Sequence, residues 1–201
     1  MEKNTLIAII SKSLNKAIDY KEYRQQVQEY VVNKSSSGPD QSEAFINYTK
    51  LGDARMRRLD KTIKIDEAIE EVVQSVTDKI TWLVITESWC GDAGHALPVI
   101  NRLASLSEHI TLKIVYRDEN TELMDRFLTN GGRSIPKLIQ LDENMEVTAT
   151  WGPRPSTATN LVNAFKEANG GLTPEFKESL QLWYNKDKGQ TIARDLAAML
   201  S

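Results

Sequence analysis

The segment Ile80–Thr86, read Ile-Thr-Trp-Leu-Val-Ile-Thr, constrains the fold more than any other part of the chain. It is a continuous apolar run rich in β-branched residues, and such runs are typical of strands buried on both faces of a sheet. A helical pattern follows over 94–106, and a second strand-like segment runs over Ile110–Tyr116. Strands joined through a helix are parallel, so these segments predict a central α/β unit.

Residue patterns on either side of this unit predict further strands and helices. Strands are predicted at Lys137–Leu141 and Val147–Trp151, and the short turn between them favours an antiparallel hairpin. Further helices are predicted at 66–75, 121–128 and 156–168, with Thr121 as N-cap of the second. The result is a β-α-β-α-β-β-α order with a mixed sheet.

Extra helices are predicted at both ends of the chain. Asp19 and Glu22 fit a capping box, and a second N-terminal helix over 41–59 carries Phe45, Tyr48 and Leu51 on one side. Thr173-Pro174 begins a C-terminal helix over 174–184, and another follows over 191–200. We therefore divide the chain into an N-terminal helical extension (1–61), an α/β core (62–169) and a C-terminal helical extension (170–201), which together form one compact unit.

Composition excludes several classes of protein. The 25 basic and 28 acidic residues give a net charge of −3, which argues against a general nucleic-acid binder. Cys90 is the single cysteine, so the chain can form neither an intramolecular disulfide nor a zinc site that needs two or more cysteines. The apolar run at 6–10 is too short for a signal-peptide core or a membrane span, so we expect a cytoplasmic protein without membrane contact.

A small basic cluster lies near the end of the second predicted helix. It comprises Arg55, Arg57, Arg58 and Lys61. Clustered Lys and Arg are common on protein surfaces, so we interpret these residues as a solvated helix end in preference to an anion site.

The segment Trp89-Cys90-Gly91-Asp92-Ala93 follows the first buried strand and opens the next helix. Here the sequence resembles the thioredoxin family, which places a Trp-Cys-Gly-x-Cys motif at a strand-to-helix turn. Three more features agree: a proline in the following helix, Ile135-Pro136 before the third strand, and a Trp-Gly pair ending the fourth. With Trp151-Gly152-Pro153-Arg154-Pro155, the motif is also similar to a less characterised bacterial subgroup that has one cysteine.

The resemblance implies a thioredoxin-like fold, α/β with three α/β/α layers, a mixed central sheet and added terminal helices. It implies that Pro136 is a cis-proline, that the backbone of Ile135 pairs with an extended peptide, and that Trp89 covers one side of the thiol. A thiol at a helix start loses its proton more readily, because unpaired N–H groups stabilise the thiolate. Cys90 is thus the candidate nucleophile of an exposed site.

The sequence also departs from the family pattern. Ala93 stands where the second cysteine would resolve a mixed disulfide, and Val84 stands where the family has a buried carboxylate. Asp92 and Glu87 add negative charge near the sulfur, which opposes thiolate formation. Asp92 is expected to cap the helix or lie in its first turn.

These residues define the candidate site. Cys90 is its candidate catalytic residue, and His95 is a candidate modulator that faces the thiol or instead lies at the surface. The candidate binding groove consists of Trp89, Gly91, Asp92, Ala93, Ile135 and Pro136. No metal or organic cofactor is implied.

Three functions stay open. The first is monothiol redox or mixed-disulfide chemistry at Cys90, with a protein or a low-molecular-weight thiol or disulfide as partner. The alternative is a redox-inactive thioredoxin-like module that binds proteins. The third is an oxidation-sensitive switch, which permits a Cys90–Cys90 dimer, so the oligomeric state is also open.

Overall fold

The computed structural model describes residues 2–200. Within them four strands form: β1 (Ile80–Thr86), β2 (Ile110–Tyr116), β3 (Lys137–Leu141) and β4 (Val147–Trp151). They make one sheet in the order β2-β1-β3-β4, in which β1 is parallel to β2 and antiparallel to β3. β3 and β4 form the expected antiparallel hairpin. The predicted strands and the mixed α/β sheet are confirmed.

β1 is a central strand, which explains its uninterrupted apolar sequence. It pairs on both edges, and Leu83, Val84 and Ile85 are fully buried. A strand without an exposed face gains stability at every position from apolar side chains.

Helices surround the sheet in the described part of the chain. They are α1 (Glu2–Leu14), α2 (Tyr20–Val32), α3 (Glu43–Thr62), α4 (Glu67–Gln74), α5 (Ala93–Ala104), α6 (Thr121–Met124), α7 (Ser156–Asn169), α8 (Pro174–Asp187) and α9 (Gln190–Ala197). Two predicted N-caps are confirmed: the Asp19 carboxylate accepts from the Glu22 N–H and the Thr173 hydroxyl accepts from the Phe176 N–H.

The helix predicted over 121–128 is shorter than expected. α6 ends at Met124, and its N-cap position is Asn120 instead of Thr121. Thr129 and Gly132 exchange backbone hydrogen bonds around Asn130 and Gly131, both of which have positive φ. Before that turn, the Arg126 and Phe127 N–H groups donate to residues three positions back, Leu123 and Met124, so the helical pattern of bonds has already ended within the predicted range.

The N-terminal helices pack against the sheet and belong to the same hydrophobic core. Ile18 pairs with Ile114 through two backbone hydrogen bonds of 2.9 Å, which extends the β2 edge. α3 packs against α5 at a close crossing, where a Cβ added to Gly94 would lie 3.3 Å from the Gly52 Cα. Small residues at this crossing bring α3 against the turn between β1 and α5.

Gly152 follows β4 and packs directly against the backbone of Pro136. Its φ of +107° is disfavoured for residues with side chains, and a Cβ there would overlap the Pro136 carbonyl oxygen. The position therefore requires glycine.

We expect Gly152→Ala to lower the free energy of unfolding by about 2 kcal/mol or more, because the new Cβ forces backbone strain and a clash. Denaturant titration measures the change. The control is Gly171→Ala, where an added Cβ has no atom within 4 Å. Equal stability of the two variants would contradict this assignment.

Candidate functional site

The turn between β1 and α5 meets the Ile135-Pro136 loop at the sulfur of Cys90. The Cys90 thiol donates a hydrogen bond to the Ile135 carbonyl oxygen at 3.2 Å. The Ala93 N–H, in the first turn of α5, donates to Sγ at 3.4 Å. The Ile135–Pro136 peptide bond is cis. One buried sulfur therefore connects two loops that are 45 residues apart in sequence.

The environment of Cys90 keeps its thiol protonated. The residue is only 7% exposed. Burial, followed by the charge of Asp92, raises the pKa of the Cys90 thiol to about 12, although the Ala93 N–H and Arg154 act in the opposite direction. The expectation of an exposed thiol with a lowered pKa is wrong, because loss of hydration outweighs the effect of the helix start.

Asp92 occupies the N-cap position of α5 without capping it. Its backbone is helical (φ −68°, ψ −36°), and N-cap side chains usually require an extended backbone. The carboxylate instead forms an ion pair with Arg154 at 2.8 Å and accepts from the Tyr184 hydroxyl at 2.9 Å. Desolvation nevertheless raises the pKa of Asp92. The predicted capping role is corrected to a link between the turn, α8 and the segment after β4.

His95 is buried against α8 and is not a surface residue. Its Nε2 lies 3.0 Å from the Gln181 Oε1, and its ring stacks on Tyr184 at a centroid distance of 4.4 Å. Burial lowers the pKa of His95 to about 4, so the imidazole is neutral at physiological pH. A charged His95 therefore does not stabilise a thiolate here.

A buried polar network supports the turn from the N-terminal side. The Ser37 hydroxyl donates to the Glu87 carboxylate and accepts from the Ser88 N–H, and the Asp118 N–H donates to Glu87 at 2.9 Å. The Ser88 hydroxyl contacts Thr49 of α3 at 2.9 Å. Burial raises the pKa of Glu87. Sequence reasoning treated Glu87 as a charge acting on the sulfur; the structure places it in this network.

A groove with a volume of about 570 Å³ opens beside Cys90. Its walls come from α3, the β1–α5 turn, the loop before β3, the segment after β4, and α8 with the residues that precede it. Its apolar lining consists of Phe45, Tyr48, Leu51, Trp89, Ile135, Pro153, Leu172 and Leu180.

The groove includes most but not all of the predicted binding residues. Cys90, Trp89, Gly91, Asp92 and Ile135 line it. Ala93 and Pro136 are buried instead and are not part of this lining. Ala93 starts α5 in the core, and the carbonyl of Pro136 faces Gly152.

Sequence reasoning missed the α3 wall of the groove. The helical spacing of Phe45, Tyr48 and Leu51 was the available signal, but a residue pattern does not say which helix packs on which turn. Phe45 contacts the Trp89 ring edge-on at a centroid distance of 4.6 Å. Arg55, interpreted as part of a solvated helix end, is half-buried and lines the same groove.

Two classes of feature are absent from residues 2–200. No group of three or more His, Cys, Asp or Glu side chains has an arrangement that could hold a metal ion. No helix in this range is long and apolar enough to cross a membrane.

The sheet, the strand-to-helix turn and the Ile-Pro loop opposite it define a thioredoxin-like α/β protein. The family model described as Thioredoxin matches residues 38–167, well over half of the chain. The chain therefore belongs to the thioredoxin family.

Two solved structures share this architecture. A protein of unknown function from Pseudomonas aeruginosa is 17% identical, with a TM-score of 0.65 over 94% of this chain and 95% of that one. An HIV epitope-scaffold is 18% identical, with a TM-score of 0.57 over 91% and 98%. At such identities the likeness shows the fold alone. A search of curated proteins found no match.

The raised pKa of Cys90 predicts slow alkylation at neutral pH. In the folded protein, the iodoacetamide rate should still be rising with pH at about pH 10, because the thiolate is scarce below the pKa. In denaturant the same thiol should titrate near its ordinary value of about 8.5. A folded-state rate that reaches its plateau below about pH 8 would contradict a protonated Cys90.

Proposed function

We propose that this thioredoxin-family chain is a protein-binding module whose groove takes an extended peptide segment of a partner. The observation that carries the proposal is the hydrogen bonding of the Ile135 backbone at the groove wall. Its carbonyl accepts from Cys90, whereas its N–H has no acceptor within residues 2–200. An unpaired backbone N–H beside an apolar groove suits pairing with an extended chain.

The rim of the groove supports the same function. Tyr48 is 53% exposed and Leu51 is 49% exposed, so the rim presents two large apolar side chains to a ligand. The Trp89 ring is fixed between Phe45 and the Arg117 guanidinium, which lies 4.9 Å from its centroid. Fixed aromatic residues lose little conformational entropy when they bind a ligand.

The surroundings of Cys90 favour binding over turnover. Ala93 supplies no resolving thiol, and burial keeps Cys90 protonated. In this proposal Cys90 is a packed residue that positions Ile135, and the chain falls in a single-cysteine subgroup of the family. We place it in the cytoplasm, where a lone thiol stays reduced.

Monothiol chemistry is the second candidate, and the position of the sulfur favours it. Cys90 lines the groove, and the Ala93 N–H donates to Sγ, as thiolate stabilisation requires. The thiolate would attack a partner disulfide to form a mixed disulfide and release one thiolate. An external thiol would then attack the mixed disulfide and regenerate Cys90. The free-energy cost of deprotonating a buried thiol opposes this reaction.

The binding function is tested on short fluorescent peptides with alternating Val and Thr. We expect wild-type protein to bind them and Leu51→Asp to weaken binding about tenfold or more, because a carboxylate replaces apolar rim surface. Fluorescence anisotropy under reducing conditions gives the affinities.

The matched control is Leu182→Asp, which changes a 63% exposed leucine outside the groove lining. It should bind as the wild type does. Equal loss in both variants, or no binding by wild-type protein, would refute the groove as a peptide site.

A further inference from the structure

The groove is basic although the chain is acidic. Arg55, Arg117, Arg133, Arg154 and Lys177 line it, against the acidic residues Asp92 and Glu178. The whole chain carries a net charge of −3. The excess of cations is therefore a local property of this surface.

Three of these cations already have carboxylate partners. Arg117 pairs with Asp118 at 2.8 Å, Arg133 with Asp125 at 2.6 Å and Arg154 with Asp92 at 2.8 Å. Such pairs reduce the charge that is available to a ligand.

Arg55 differs from these three residues. Within residues 2–200 its guanidinium has neither an ion-pair partner nor a hydrogen bond. It is nevertheless half-buried, and desolvation lowers its pKa. A guanidinium has five N–H donors, and those of Arg55 are not among the fully buried polar atoms without a partner, so they face solvent in the groove and are open to a ligand.

The fold fixes Arg55 beside Gly91, the residue that follows Cys90. The close crossing of Gly52 and Gly94 brings α3 onto α5, and the Arg55 Cδ lies 3.6 Å from where a Gly94 Cβ would be. Its Nη1 lies 3.5 Å from the corresponding position at Gly91. The guanidinium, on which the nearby Asp92 charge acts without a direct ion pair, is thus held over the turn that carries the site.

We propose that the groove selects an extended peptide with an acidic side chain, whose carboxylate binds Arg55 above Gly91. This inference rests on the proposed peptide-binding function and adds the chemistry of the partner. The apolar rim contacts the neighbouring side chains, and Lys177, an exposed groove residue on α8, adds positive charge. A planar guanidinium matches a carboxylate through paired hydrogen bonds.

The test compares two peptides that differ at one central position, Glu or Gln, on the alternating Val and Thr background. Wild-type protein should bind the Glu peptide at least about tenfold more tightly, the effect of one charge-assisted hydrogen bond. In Arg55→Gln this ratio should fall to about one, because the neutral amide no longer distinguishes the two peptides by charge.

Arg126→Gln is the control, since it removes the same charge from an exposed arginine outside the groove lining and should keep the wild-type ratio. If Arg55→Gln does not fold, the preference of the wild-type protein for the Glu peptide over the Gln peptide is measured at low and at high salt. We expect the preference to decrease in high salt but to stay above one, because a half-buried ion pair is only partly screened by salt. A ratio that is near one at low salt overturns the inference.

The outcomes separate the two proposals. Equal binding of both peptides by wild-type protein overturns the acidic preference and leaves peptide binding intact. Absence of binding to either peptide overturns both. Competition by free acetate or phosphate as strong as that by the Glu peptide would assign Arg55 to a small anion and overturn the peptide inference.

Discussion

The hydrogen bond from the Cys90 thiol to the Ile135 carbonyl is the contact on which the rest of the site depends. It joins the turn before α5 to the loop before β3. It occupies the Ile135 carbonyl, whereas the Ile135 N–H has no acceptor within residues 2–200. Because the thiol is a donor in this bond, the arrangement requires that Cys90 be protonated. Burial provides that condition.

The terminal helices complete this site instead of standing apart from it. The N-terminal extension supplies Ser37 to the network beneath the turn and α3 to the groove wall. α8 supplies Tyr184 to Asp92 and Gln181 to His95. The Asp92 carboxylate and the His95 imidazole, which lie near the sulfur, are therefore both occupied by structural contacts. Without these terminal segments the site would lack these walls.

The strands were predictable because their patterns are local. The apolar run at Ile80–Thr86 and the hairpin around Asp142 fix their own bounds, and the structure agrees with both. The motif at Cys90 also predicted the position of the turn between β1 and α5. The protonation of Cys90 was not predictable, since the helix-start argument omits burial by distant residues. The contacts of Arg55 and His95 likewise arise from helix packing that one sequence does not specify.

The most direct measurement of the central claim compares peptide affinity between wild-type protein and Cys90→Ser, with and without reductant. Serine keeps the donor to Ile135 and removes the sulfur, so the account predicts affinities within about twofold of each other in all conditions. Loss of binding in Cys90→Ser, or wild-type capture of only disulfide-containing peptides in the absence of reductant, would show that the thiol acts as a nucleophile and would contradict the account.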